Sequence, residues 1–82
     1  MNFKTSDTAL ASYLITVGFL PSAIDYSSPP RFTIVFANSA ESIQTHASQY
    51  VAGLAKVDPA TFYRVIRKLT RIFRNRQQWG DD

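Results

Sequence analysis

DPATFYRVIRKLTRIFRNR, residues 58–76, is the stretch on which the fold turns. Asp58 offers a side-chain acceptor just ahead of a helix, and Pro59 suits the first helical position, where its missing N–H is not needed. Phe62, Val65, Ile66, Leu69, Ile72 and Phe73 then recur at steps of three and four, which gathers them into one arc of a helix. At ~100° per residue, Arg64, Arg67, Lys68 and Arg71 centre about 150° from that arc, and Arg74 falls at the edge. Arg76 would point toward the apolar side, so the helix is expected to end near there. Run over 59–76, it would be roughly 27 Å long.

Working outward, NSAE at 38–41 reads as the start of another helix. Asn38 can cap it, and Glu41 can reach back to the Asn38 N–H. This helix runs to about Val51, with Ile43, Ala47, Tyr50 and Val51 as its apolar stripe and Gly53 beyond its end. RFTIVFA at 31–37 is the best strand in the chain. Phe32, Ile34 and Phe36 share one face, and Thr33 and Val35 take the other. A shorter strand over 22–27 pairs Ile24 with Tyr26, and SSPP at 27–30 interrupts the pattern. Together the two strands make a β-hairpin, which needs helices or a further strand to be stable in water. Asp7 to Val17 is the first helix, capped by Thr5 or Ser6, with Leu10, Tyr13, Leu14 and Val17 inward and Gly18 as its left-handed stop. The expected architecture is α-β-β-α-α, a two-layer α+β domain with a short antiparallel hairpin packed on three helices. It occupies residues 1–78, and residues 79–82 are left as a loose tail.

The 82-residue chain is long enough for one domain with a thin margin of stability. Its 45% hydrophobic and 13% aromatic content argues against disorder. It has no cysteine, which excludes disulfides and thiolate metal sites and makes a reducing cytoplasm the simplest compartment. No stretch reads as a secretion signal, and the apolar runs fall well short of the ~20 residues of a membrane span. The net charge of +3 is unevenly spread. Residues 1–58 carry Lys4, Arg31 and Lys56 against Asp7, Asp25, Glu41 and Asp58, whereas 59–80 carry six cations and no acid. The basicity belongs to one segment.

Three stretches carry a resemblance: FKTSDTALASYLITVGF at 3–19, RFTIVFANSAE at 31–41 and VDPATFYRVIRKLTRIF at 57–73. In this order and spacing, the chain resembles a family of small α+β proteins of unknown function found in bacteria, archaea, plasmids and phages. The IDYSSPP region, 24–30, departs from it. The resemblance brings no catalytic residues and implies a mobile-element or accessory setting.

The basic face is the main candidate for function. Guanidinium groups match phosphate in bidentate fashion, and Arg64, Arg67, Lys68, Arg71 and Arg74 are placed to follow a nucleic-acid backbone. The plainer reading is a solvated face that complements the helix dipole or pairs with Glu41, Asp25 or the Asp81–Asp82 end. Base-specific reading is not expected, since Asn and Gln are missing from that face and no helix-turn-helix, zinc finger or aromatic RNA-binding pattern is present. The partner is then DNA or RNA bound with little specificity. The alternative is a protein-interaction module, a phage or plasmid factor docking on a host protein. KTSD at 4–7 offers hydroxyls and a lysine at a helix start, where an anion could sit, although an N-cap explains it more simply. His46 is the one histidine and has no nucleophile, acid or further ligand at a fitting spacing. No enzyme activity, cofactor, metal or membrane contact is expected. Trp79 would serve as an anchor or, if exposed, as a stacking surface. The strand over 31–37 offers an edge at which two copies could pair as a dimer.

Overall fold

The computed structural model describes residues 2–37 and 40–81. Its elements are β1 (Phe3–Thr5), α1 (Thr8–Thr16), β2 (Ala23–Ser28), β3 (Arg31–Phe36), α2 (Ala40–Val51) and α3 (Pro59–Arg74), followed by a 3-10 turn at Trp79–Asp81. The α+β class and the three helices are as expected. The sheet is larger than a hairpin: it has three antiparallel strands in the order β1-β3-β2. Phe3 pairs with Phe36, Lys4 with Val35 and Thr5 with Ile34. A segment this short and polar has no strand signature of its own, and it is extended because β3 offers it a ladder.

That added strand moves β3 from an edge to the centre. β1 covers the outer side of β3 at Ile34–Phe36, part of the edge at which two copies were expected to pair. β2 is the edge strand on the other side. Ser28 lies opposite Arg31, so the turn is made by Pro29 and Pro30 alone.

One core lies under the sheet. Ile24, Ile34 and Phe36 meet Leu10, Ala11, Tyr13, Leu14 and Ile15 of α1, Ile43 and Ala47 of α2, and Leu69 and Ile72 of α3. The alternation of β3 is realised, with Ile34 and Phe36 fully buried. α1 goes beyond its expected stripe, because six consecutive residues, Leu10–Ile15, are buried. It is the central helix, packed against α2, α3 and β1. Its one buried polar residue, Ser12, is satisfied by donating to the Thr8 carbonyl at 2.8 Å. Val17 lies outside this core, as does Val51 at the end of α2.

Caps set the helix ends. Asp7, rather than Thr5 or Ser6, is the N-cap of α1, and its Oδ1 accepts from the Leu10 N–H at 3.1 Å. Thr5 Oγ1 accepts from the Asp7 N–H one step earlier, and the Ser6 hydroxyl bonds to Thr33 on β3. Gly18 follows α1 at φ +113°, a conformation that side chains resist. The expected Asn38 cap of α2 lies outside the described residues.

Candidate nucleic-acid interface

α3 begins where the sequence places it. Asp58 Oδ2 accepts from the Thr61 N–H at 2.9 Å, and Pro59 opens the first turn. Leu69 and Ile72 are fully buried, while Phe62, Val65 and Phe73 pack at the margin of the core. This inward arc fixes the helix's rotation, so the cationic side faces solvent. Arg64, Arg67, Arg71 and Arg74 are exposed, and Lys68 is half-buried. The five residues expected to form the site therefore lie along one side of one helix. From Arg64 to Arg74 the rise is roughly 15 Å.

The ridge is not uniform. Lys68 Nζ sits 3.9 Å from the centre of the Trp79 ring, a cation–π contact that ties the helix to the C-terminal segment. Lys68 and Arg71 are both engaged within the molecule. Arg64, Arg67 and Arg74 make no ion pair with a described carboxylate. Arg67 leans over the exposed Tyr63 ring at 5.8 Å. Alongside the ridge runs an open groove of ≈ 820 Å³, lined by Ile15, Val65 and Trp79 as well as by the cations.

Of the acids named as possible quenchers, Asp25 is occupied elsewhere, and Asp82 lies outside the described residues. Asp25 is held below its usual range by hydrogen bonds from Ser27 and then by Lys4, and α3 takes no part. Asp58 is held low chiefly by the Thr61 N–H and hydroxyl, with Arg64 a smaller contributor. The KTSD hydroxyls and carboxylate are spent on capping and on β3. His46 packs edge-on to Phe19 at 5.3 Å and near Tyr13, with Nδ1 3.1 Å from the Ser42 carbonyl. Among the described residues no group of three His, Cys, Asp or Glu side chains could hold a metal, and no helix is long and apolar enough to cross a membrane.

Sequence reasoning left the contacts of the C-terminal segment open. Arg76 ends the helix region at φ +53°, and its guanidinium covers Phe32 at 4.4 Å and Tyr26 at 5.5 Å. Its inward direction was legible from the helical wheel, but its aromatic partners were not. Trp79, left in a loose tail, packs against the core. Its only sequence signal was its size, since burying an indole is strongly favourable.

The geometry defines a small α+β domain with a cationic terminal helix and a docked C-terminal turn. The chain belongs to the family described as a domain of unknown function, DUF5659, whose model covers residues 1–75. Searches of curated proteins and of solved structures give no match.

Proposed function

We propose that this is a small accessory binding protein, not an enzyme, and that α3 grips a nucleic-acid backbone with little sequence specificity. One observation carries the reading. The outward side of α3 presents Arg64, Arg67, Arg71 and Arg74 to solvent, and no residue from Pro59 to Arg74 is acidic. Arginine suits the task because its rigid fork meets phosphate oxygens in pairs. Lys68 supports the ridge from beneath by pinning Trp79.

If Arg64, Arg67 and Arg74 meet phosphates, the logarithm of affinity falls with the logarithm of salt at a slope of roughly −3. Fluorescence titration of single-stranded and duplex oligonucleotides at several salt concentrations measures it. Changing Arg64 and Arg67 together to glutamate abolishes binding while leaving the circular-dichroism spectrum unchanged, because both side chains are exposed. Binding that ignores salt, or none at low salt, ends this reading.

A second reading rests on the groove. Its Ile15, Val65 and Trp79 lining gives an acidic protein segment something apolar to cover beside the arginines. The partner would then be a host protein, and its capture from lysate would survive nuclease treatment.

A further inference from the structure

Among the described residues, Tyr63 is the one aromatic that stands exposed, with 61% of its surface in solvent. The other rings are buried or pack at the margin of the core, and Phe32 lies against Tyr26 and Phe73. A ring whose faces stay wet adds little to the stability of the fold.

Its place on α3 is specific. Arg67, Thr70 and Arg74 follow Tyr63 by four, seven and eleven residues, so the four share one stripe about 60° wide and roughly 16 Å long. All four are exposed. The Arg67 guanidinium lies 5.8 Å from the centre of the Tyr63 ring. That is near the ~6 Å limit of a cation–π contact, so Arg67 orients the ring without sealing it. Trp79 is a poorer platform, because Lys68 Nζ already sits over its ring at 3.9 Å.

We infer that the nucleic acid is single-stranded, and that Tyr63 is the platform on which an unpaired base stacks while Arg67 and Arg74 hold phosphates along the same stripe. This rests on the backbone-binding reading of α3 and names its substrate class. In a duplex every base is covered on both faces by its neighbours, and a tyrosine beside the phosphates can offer only its hydroxyl. An unpaired base has a free π-face. Every base has one, which keeps sequence specificity low. The stripe holds no acid and no aliphatic side chain. A docking protein would look for an apolar patch there, whereas a nucleic-acid strand needs a ring and cations at short intervals.

The test titrates three labelled probes at equal salt: an oligothymidylate, an abasic strand of the same length, and a duplex. Each meets the wild type, Tyr63→Ala and Tyr63→Phe, with circular dichroism to verify folding. The wild type is expected to bind the oligothymidylate at least about fivefold more tightly than the abasic strand, and more tightly than the duplex. Tyr63→Ala erases the gap to the abasic strand, Tyr63→Phe keeps it, and neither changes duplex affinity more than about twofold. The salt slope on the oligothymidylate is roughly −2 for three arginines on a single strand. It stays the same in Tyr63→Ala, since stacking releases no counterions. Salt-dependent binding that treats oligothymidylate and abasic strand alike overturns this inference and leaves the backbone reading standing. So does a preference for the duplex, or a Tyr63→Phe variant as weak as Tyr63→Ala. No binding of any probe at low salt overturns both readings and gives the ridge to a protein partner.

Discussion

Asp58 illustrates how one residue couples charge to fold. Its carboxylate takes both the Thr61 N–H and the Thr61 hydroxyl, bonds that favour the ionised form and hold its pKa below the usual aspartate range. Because the folded-state value is the lower one, the stabilisation is present above the unfolded value and disappears as pH falls through the folded one. Thermal unfolding followed by circular dichroism should therefore show a melting temperature that declines below about pH 4. Gln and Glu are too long for this cap, but Asn is not. Asp58→Asn should keep most of the neutral-pH stability and flatten the acid decline. An unchanged decline would mean that other carboxylates, Asp25 first among them, carry it. The cap was legible from the sequence because Asp-Pro ahead of an amphipathic run has few other uses. Asp7 was misread in favour of Thr5 and Ser6, since all three can cap and only the strand pairing of Thr5 removes it from contention.

At the scale of elements, α3 was the easiest to read and its packing the most testable. Leu69 and Ile72 are fully enclosed. Leu69→Ala and Ile72→Ala should each cost about 2–5 kcal/mol in urea unfolding, through lost burial and the cavity left behind. Thr70→Ala, on the exposed side, should change stability by less than about 0.5 kcal/mol. If Thr70→Ala proved as costly as Leu69→Ala, the helix would be rotated from the position described. β2 is joined to the end of α3 by the Tyr26 hydroxyl, which donates to the carbonyls of Ile72 and Gln77. Tyr26→Phe leaves the ring in place beside Phe32 and should cost about 0.5–1.5 kcal/mol. β1 escaped notice because three residues give no periodicity to detect, and Lys4 and Thr5 are not strand signals on their own. Its pairing energy comes from β3, more than 25 residues away in the chain.

Across the whole molecule, Trp79 reports on closure. It is the single tryptophan, lies against the core and is covered by Lys68. Its native fluorescence should be blue-shifted relative to the urea-unfolded chain, and the shift should be lost together with the circular-dichroism signal. Emission already at the unfolded wavelength in native buffer would mean that the C-terminal turn is undocked. The same turn ties α3 to the sheet. Trp79 meets the cationic ridge through Lys68, and its neighbour Gln78 meets the sheet edge at Ile24. A molecule this small has little core to spare, so a few contacts between distant segments weigh heavily in its stability.

The sequence by itself determined the three helices, the alternation of β3 and the split surface of α3. Each of these is a local pattern, written in residues a few positions apart and expressed through backbone periodicity. Only the tertiary structure decided that β1 is a strand, that β3 is central, which cations stand exposed and where Trp79 and Gln78 dock. Those outcomes depend on pairs such as Ile24 and Gln78, 54 residues apart. Hydrogen bonds and ring contacts across such separations leave no periodic trace in the chain, because their energy appears only once the fold has brought the partners together.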